Sequence, residues 1–306
     1  MEAPGDVGGA PSSVVVEGSN IVRPITQAAA EAFEQEKRDA PQISVGGSDT
    51  GDDFEALCNG EAQIFDASRP MEDEEARTCQ ENGTEFIELP VALDALSVVV
   101  NPQNDFAKDI TLDELRMLWE PSAEGRVTTW RQIRSEWPDR HINLYGPGRE
   151  KGNFEFFTAR AVGRASESRS DYQVSEDDNA LAQSVATDPN ALGYLGFSYF
   201  EENQQRIKAL AVEGVAPGVD TINSSQYPLS RPLFIYVSRQ ALDKNPSLRE
   251  FVNFYLDNLN QFVEQAQYVP LPSQVAQETR ERFDNLITGT APESTARGEK
   301  GKEDTT

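Results

Sequence analysis

Short apolar segments alternate with amphipathic segments along most of the chain, and this alternation constrains the fold more than any other feature. The apolar segments predict strands at residues 13–17, 42–45, 62–65, 85–89, 95–100, 143–145, 192–196, 207–212 and 233–237. The amphipathic segments predict helices at residues 24–37, 52–59, 72–82, 111–119, 153–162, 177–188, 246–264 and 275–287. Alternation of this kind is typical of parallel sheets covered by helices, so the sequence predicts an α/β fold.

The length and the charge of the chain limit what it can contain and bind. Its 306 residues are enough for two domains of ordinary size. The formal net charge of −25 repels nucleic acids and anionic membranes, so neither is an expected partner. An anion site in such a protein must be local, buried and built from short-range donors. The acidic excess fits adaptation to salt and simple solubility equally well.

The chain has two cysteines, Cys58 and Cys79. Their spacing suits one disulfide between a helix and a following helix or loop, and two free thiols are the alternative. There is no CxxC pair and no Cys/His cluster, so neither a structural zinc site nor a bound cofactor is expected. No apolar run in the sequence reaches the length of a membrane span.

Both ends of the chain are small and polar in composition. Residues 1–12 and 288–306 contain few apolar side chains, and we expect them to be disordered tails. Residues 1–12 also lack the basic start and the apolar stretch of a secretion signal. If the protein is exported, this chain is a processed or recombinant form.

A glycine-rich turn at residues 144–158, LYGPGREKGNFEFFT, is the most distinctive local motif. It indicates the end of a strand, a turn, and a helix whose N-cap would be Asn153. Such a turn directs backbone N–H groups and the positive end of a helix dipole outward, which favours anion binding. Arg149 and Lys151 add positive charge. The alternative is an ordinary strand-to-helix connection with surface charge.

Other strand-to-helix connections share this chemistry. Residues 18–24 and 46–51 place Gly, Ser, Thr or Asn between a strand and a helix, as residues 152–153 do. Several helix N-termini that meet at one point would form an anion cradle without net positive charge. Arg69, at the end of a predicted strand, would add a bidentate clamp.

Six longer runs of the sequence resemble those of a known family. The runs GSNIVRPITQAAAEAF, GSDTGDDFEALCNGEAQIFDASRPM, LPVALDALSVVVNP, LYGPGREKGNFEFFT, SRSDYQVSEDDNALAQSV and ALGYLGFSYF look like those of the phosphate-binding proteins of ABC transporters. These proteins are periplasmic or lipid-anchored receptors with the type II periplasmic-binding-protein fold. The resemblance covers the chain in order from about Val14 to Ile287, and the DASRPM and SRSDY…SEDDN runs are its most specific parts.

The resemblance implies an architecture of two lobes joined by two hinge strands, near residues 95–100 and 227–233. Lobe 1 would comprise residues 13–97 and 230–287, and lobe 2 would comprise residues 98–229. Cys58 and Cys79 would form the disulfide of this subgroup. The protein would be a periplasmic or extracellular monomer that is anchored by lipid or free, binds inorganic phosphate or a similar oxyanion, and delivers it to an ABC permease.

The resemblance also implies a ligand shell. Its residues would be Asn20, Ile21, Val22, Ser48, Ser68, Arg69, Lys151, Gly152, Asn153, Arg169, Ser170 and Asp171. An acidic acceptor in such a site selects protonated phosphate over sulfate, because it accepts a hydrogen bond only from an oxyanion that carries a proton. Asp171 and Asp49 are both candidates for this acceptor.

The chain departs from the family pattern at several positions, most consequentially at Ile21, Lys151 and Asn153. Members similar to it usually read Ser-Ser-Thr at residues 19–21 and Thr-Asp-Ser-Gly-Thr at residues 149–153, so Ile21, Lys151 and Asn153 replace hydroxyls. Each lost donor to a charged ligand would cost on the order of 1.5–3 kcal/mol. The substitutions leave open a changed mode of phosphate binding, a different oxyanion, a phosphorylated solute, or weak binding.

Two other functional classes are alternatives to a transport receptor. An enzyme is disfavoured because GxSxG, HExxH and Walker motifs are absent and the single histidine, His141, begins a predicted strand. Asp177 and Asp178 resemble a carboxylate pair, but acidic residues at a helix N-terminus explain them better. A binding protein without a transport role, such as a sensor, adhesin or scaffold, is the remaining alternative.

Overall fold

The computed structural model describes residues 13–37, 40–47 and 54–291. This part of the chain forms two compact units. Unit 1 comprises residues 13–37, 40–47, 54–92, 232–266 and 270–291, and unit 2 comprises residues 93–231 and 267–269. The chain passes between the units after Ala92 and after Arg231, where the sequence analysis placed the boundaries at 97/98 and 229/230. Residues 267–269 also belong to unit 2, an assignment that the sequence did not predict.

Unit 1 is a sheet flanked by helices. Its strands are β1 (Val14–Gly18), β2 (Ile43–Val45), β3 (Ile64–Ala67) and parts of β4 (Phe86–Val100) and β11 (Ser230–Ser238). Its helices are α1 (Arg23–Glu36), α2 (Glu55–Cys58), α3 (Asp73–Glu81), α10 (Arg239–Lys244), α11 (Pro246–Asp257), α12 (Leu259–Gln265) and α13 (Ser273–Asp284).

The sheet of unit 1 contains the run β2-β1-β3-β11. The strands β2 and β3 are both parallel to β1, with Val16 opposite Val45 and Ile64, and β11 is antiparallel to β3. On one face, Phe33 of α1 makes an edge contact with Phe251 of α11, with ring centroids 5.6 Å apart. These contacts bury the apolar face of α1 that the sequence pattern predicted.

The other face of this sheet carries the disulfide. Cys58 at the end of α2 and Cys79 in α3 are bonded, with their Cα atoms 4.3 Å apart. Both cysteines are buried in a cluster with Phe54, Phe65 and Tyr236. The disulfide that the resemblance implied is therefore present in the structure.

Unit 2 is a second α/β layer. Its strands are the rest of β4 and β11, with β5 (Asp109–Ile110), β6 (Asn143–Pro147), β7 (Gln173–Ser175), β8 (Ala191–Gly196), β9 (Lys208–Ala209) and β10 (Ala211–Val212). Its helices are α4 (Leu112–Trp119), α5 (Trp130–Ile133), α6 (Gly152–Phe157), α7 (Asp178–Thr187), α8 (Phe197–Asn203) and α9 (Val219–Asn223), with a 3-10 turn at Pro121–Ala123 and a π-helical turn at Thr158–Val162.

The sheet of unit 2 contains the run β4-β8-β6-β7. The central strand β6 is parallel to both β7 and β8, whereas β8 is antiparallel to β4. Trp119, Phe157 and Tyr194 form its aromatic core, in which the rings of Phe157 and Tyr194 are stacked 3.7 Å apart. This core lies under the glycine-rich turn, because a Cβ on Gly146 would approach the Tyr194 ring to 3.1 Å.

Several predicted elements differ from the observed ones. The strands predicted at 85–89 and 95–100 are parts of one strand, β4. The helix predicted at 246–264 is interrupted at Asn258, whose side chain donates to Phe254 O at 2.9 Å and separates α11 from α12. The strand predicted at 207–212 consists of the two-residue strands β9 and β10.

The described chain also continues past the predicted end at Ile287. The N–H of Gly289 donates to Phe86 O at 2.7 Å, and the N–H of Ala291 donates to Glu88 Oε1 at 3.0 Å. These bonds attach residues 288–291 to β4, although their composition had indicated a tail. Among the described residues, no helix has the length and apolar content needed to cross a bilayer.

Candidate functional site

The connections around β1 create a topological switch point in unit 1. The chain leaves β1 through α1 and reaches β2 on one side, and then passes through α2 to β3 on the other side. Because the three strands are parallel, their carboxyl ends lie at one edge of the sheet. Open α/β sheets bind ligands outside such an edge. We call this the β1 edge, and it is the candidate site of unit 1.

The turn between β1 and α1 forms the centre of the β1 edge. Ser19 is buried, and its N–H donates to Asp66 O at 2.8 Å, which joins the turn to β3. Asn20 is exposed, and its Oδ1 accepts from Arg23 Nη1 at 3.4 Å. The side chains of Ile21 and Val22 are buried, and their N–H groups donate to Ser19 Oγ at 3.3 Å and to Ser19 O at 3.2 Å.

The end of β2 lies beside this turn. A Cβ on Gly47 would lie 2.2 Å from Asn20 Oδ1, so only glycine fits this approach without rearrangement. Two predicted residues of the following loop, the ligand Ser48 and the acceptor Asp49, lie outside the described residues.

Ser68 and Arg69 directly follow β3, at the strand end that the sequence predicts for Arg69. Ser68 is buried, whereas the Arg69 side chain is 36% exposed. Arg69 forms a bidentate pair with Glu75, in which Nη1 and Nη2 donate to the two carboxylate oxygens at 2.8 and 2.7 Å. Its guanidinium also lies over the Phe54 ring, 5.3 Å from the centroid. Glu75 and Phe54 thus hold the Arg69 side chain in place at the β1 edge, and a bond from Arg69 to an anion stays a prediction.

Directly behind this edge lies the buried carboxyl of Asp66, in β3. Thr26 Oγ1 donates to Asp66 Oδ1 at 2.9 Å, and Asp66 Oδ2 has no hydrogen-bond partner among the described residues. Burial raises the pKa of Asp66 to about 8, although the hydrogen bond from Thr26 opposes this shift. Asp66 is therefore protonated at neutral pH and adds no negative charge behind the edge.

Unit 2 contains a switch point of the same kind around β6. The chain passes from β6 through α6 to β7 on one side, and from β7 through α7 to β8 on the other side. The carboxyl ends of β6 and β8 are therefore neighbours. We call this the β6 edge, and it is the candidate site of unit 2.

Three predicted ligand residues begin α6 at the β6 edge. The N-cap is Lys151 and not Asn153 as predicted, and the Lys151 side chain makes no capping hydrogen bond. Gly152 begins the helix. The Asn153 side chain lies beside the end of β8, since a Cβ on Gly196 would lie 3.8 Å from Asn153 Nδ2. Lys151 and Asn153 therefore place a cation and an amide at this edge.

Asp178 is a residue of the β6 edge that the sequence analysis did not assign to the site. The same Cβ on Gly196 would lie 3.8 Å from Asp178 Oδ2. Burial raises the pKa of Asp178, while the charge of Lys151 and the Gly196 N–H lower it. Its neighbour Asp177 is the N-cap of α7 and accepts from Asn179 and Ala180, as expected for acids at a helix start. Sequence alone could not separate the two adjacent carboxylates.

Arg169 and Asp171 form a structural pair in unit 2. Arg169 is buried, and it donates to both Asp171 oxygens at 2.5 and 2.9 Å and to the carbonyls of Leu118 and Val127. The Arg169 hydrogen bonds lower the pKa of Asp171.

Because these bonds hold the side chains of Arg169 and Asp171 within their loop, ligand contacts by either residue stay predictions. Ser170 is likewise occupied, because its Oγ and N–H both donate to Glu124 Oε2 at 2.9 Å. Asp171, one of the two proposed acceptors, is thus paired with Arg169 and also accepts a hydrogen bond from the Gly125 N–H.

Each edge therefore combines features suited to a small oxyanion. The β1 edge brings together Asn20, Ser68 and Arg69, and the β6 edge brings together Lys151, Asn153 and Asp178. The amide, hydroxyl, guanidinium and ammonium groups among them bind anions by hydrogen bonds over short distances, which suits a strongly acidic protein. Among the described residues, no group of three or more His, Cys, Asp and Glu is arranged to hold a metal ion.

Two α/β units, each with a switch-point edge, are typical of one class of substrate-binding receptors. The chain belongs to the PBP superfamily, whose domain model matches residues 6–258. The predicted periplasmic-binding-protein fold is thereby confirmed.

Named relatives make the family more specific. The chain is 45% identical to protein SphX of Synechocystis sp. over 267 residues, which is 86% of this chain and 79% of that protein. It is 30% identical to the phosphate-binding protein PstS of Staphylococcus saprophyticus over 287 residues, covering 92% of this chain and 88% of that protein.

A solved structure agrees with these relatives. A possible phosphate-binding protein from Planctomyces limnophilus superposes with a TM-score of 0.84 at 37% identity, over 91% of this chain and all of that one. The resemblance inferred from the sequence is therefore confirmed at the level of the family.

Proposed function

We propose that this protein is a solute receptor that captures inorganic phosphate, or a closely related oxyanion, and delivers it to an ABC permease. In this proposal it acts in the periplasm or outside the cell. The alignments with relatives named for phosphate binding cover most of this chain and most of each relative, which supports the proposal.

The observation that carries the proposal is the composition of the β1 edge. A topological switch point there brings Arg69, Ser68 and Asn20 to the carboxyl ends of adjacent parallel strands. A guanidinium matches the geometry of phosphate oxygens and is more weakly hydrated than an ammonium group. Amide and hydroxyl groups beside it provide neutral donors.

The substituted residues of the β6 edge fit the same function in a changed form. Lys151 replaces the hydroxyl of related members by a charge, and Asn153 replaces a hydroxyl by an amide that still donates. The side chain of Ile21 is a buried hydrocarbon and provides no donor at the β1 edge. We infer that Lys151 offsets part of the loss, because a hydrogen bond from a charged donor is stronger than one from a neutral donor.

The proposal assigns no catalysis to the protein. His141 is exposed, and its Nδ1 lies 3.1 Å from Asn143 Oδ1. Asp178 and Lys151 lie at the β6 edge, where they suit binding of an anion that carries a proton. Turnover of phosphate esters by the purified protein would contradict this assignment.

Replacement of Arg69 tests the anion site directly. Arg69→Ala should weaken phosphate binding by roughly 10- to 100-fold, because one charged hydrogen-bonding group contributes about 1.5–3 kcal/mol. Arg77→Ala is the matched control, since Arg77 is an exposed arginine on α3. Isothermal titration calorimetry gives both dissociation constants, and an unchanged value for Arg69→Ala would remove Arg69 from the site.

A further inference from the structure

We propose that Phe54, Glu75 and the Cys58–Cys79 disulfide form a seat that fixes the orientation of Arg69 before the anion arrives. We call these residues the Arg69 seat. Glu75 and Phe54 are then positioning residues that act on the ligand through Arg69. The part of this inference that concerns affinity rests on the proposed function.

Glu75 supplies the first wall of the seat. It lies in α3, and its carboxylate receives both terminal nitrogens of Arg69 in a bidentate pair. A bidentate pair fixes the plane of a guanidinium as well as its position. Burial would raise the pKa of Glu75, but the hydrogen bonds from Arg69 and from the Glu72 N–H bring it below its ordinary value. Glu75 therefore stays ionised and holds Arg69 at neutral pH.

Phe54 supplies the second wall. It immediately precedes α2, it is 1% exposed, and its ring lies under the guanidinium. The ring is itself fixed, because it packs against Phe65 and Tyr236 with centroid separations of 4.8 Å in both cases. Cation–π attraction adds to the bidentate pair and opposes rotation of the guanidinium.

The disulfide joins these two walls. Cys58 ends α2, which Phe54 precedes, and Cys79 lies one helical turn after Glu75 in α3. A covalent link between the two helices therefore fixes the separation of Phe54 and Glu75. Both cysteines are buried, so the link is protected from solvent.

Prior ordering of Arg69 has a consequence for affinity. An arginine loses much side-chain freedom when it binds a ligand, and a seat that removes this freedom beforehand lowers the cost of binding. Loss of the seat should therefore weaken phosphate binding by roughly 3- to 10-fold. If Glu75 instead competed with the anion for Arg69, its removal would strengthen binding.

The first test needs no ligand. The Arg69 Nε–H signal of the full chain is followed by ¹⁵N relaxation in the wild type, Glu75→Gln and Glu74→Gln. Glutamine at position 75 can still accept from the Glu72 N–H, which Glu75 Oε2 receives at 2.7 Å, so the start of α3 is preserved. Glu74 is exposed on the same helix and is the matched control.

We expect an ordered Arg69 side chain in the wild type and in Glu74→Gln, and a mobile one in Glu75→Gln. A mobile Arg69 in the wild type would overturn the inference whether or not phosphate binds. An ordered Arg69 in a protein that binds no phosphate would instead remove the proposed function and leave the seat in place.

The second test uses inorganic phosphate. Glu75→Gln should weaken its binding by roughly 3- to 10-fold in the wild-type background and by much less in an Arg69→Ala background. Equal losses in both backgrounds would show that Glu75 acts only on the fold and would overturn the inference, as would an unchanged or tighter dissociation constant.

The third test removes the covalent link. In Cys58→Ala/Cys79→Ala, the Arg69 Nε–H signal should become more mobile while the cooperative unfolding transition is retained. Unchanged Arg69 order in this folded variant would exclude the disulfide from the seat. If the variant does not fold, Phe54→Leu gives the same readout, because leucine fills much of the space but lacks the aromatic face.

Discussion

At the scale of single residues, Asp66 shows how burial changes the charge of a group next to a candidate site. It is 1% exposed, and Thr26 donates to it while Tyr255 contacts the same hydroxyl. With its pKa raised to about 8, Asp66 keeps its proton in the folded state at pH values at which the unfolded chain has lost it. Its contribution to stability is therefore complete at low pH and decreases as the pH rises toward about 8.

Asp66→Asn should remove this pH dependence, because asparagine has nearly the shape of the protonated acid and cannot ionise. Relative to the wild type, the variant should gain stability on the order of 1 kcal/mol per pH unit between about pH 5 and about pH 7. Urea unfolding of both proteins across this range measures the difference, with the exposed Glu61→Gln as the control. A difference between variant and wild type that does not change with pH would show that Asp66 is ionised in the folded protein.

Single residues of the site were only partly predictable from the sequence. Ser68 and Arg69 follow a strand, as the pattern indicated, because the carboxyl end of a parallel strand is a local feature. Glu75 was not recognised as the partner of Arg69, since their pairing depends on how α3 folds back beside β3. The position of Asp178 next to Gly196 depends on the order of β6 and β8, which periodicity does not determine.

At the scale of elements, the close packing of β1 against β3 depends on Gly18. Its φ of +121° is rare for residues with a side chain, and a Cβ there would lie 2.2 Å from Asp66 O. This approach allows the chain to leave β1 and enter the turn at the β1 edge.

Gly18→Ala should therefore destabilise the protein by roughly 2–4 kcal/mol, through backbone strain and the collision with β3. Gly60→Ala is the control, because Gly60 also has a positive φ, of +74°, but has nothing within 4 Å of the added carbon. Strain alone should cost about 1 kcal/mol. Equal losses in chemical denaturation of the two variants would show that the contact with Asp66 is unimportant.

The elements themselves were largely predictable, because the apolar periodicity of α1 and α11 reflects burial on one face. Errors arose where a neighbour overrides the pattern. Thr158 donates to the carbonyls of Phe154 and Glu155, and the helix predicted at 153–162 changes there from α6 into a π-helical turn. The helix predicted at 111–119 is observed as α4, where Thr111 and Glu114 form a capping box from residues close in sequence.

At the scale of the whole molecule, the net charge of −25 and the capture of an anion impose opposite demands. Under the proposed function, long-range attraction cannot bring phosphate to this protein, so affinity would arise from short-range donors such as Arg69, Lys151 and Asn153.

Calorimetric titration of the full chain with phosphate, and then with sulfate, tests this account most directly. The account predicts that phosphate binds with a dissociation constant of about 1 μM or lower. It also predicts binding of sulfate at least about tenfold weaker, because sulfate carries no proton for an acidic acceptor. No heat and no thermal shift with millimolar phosphate would contradict the account.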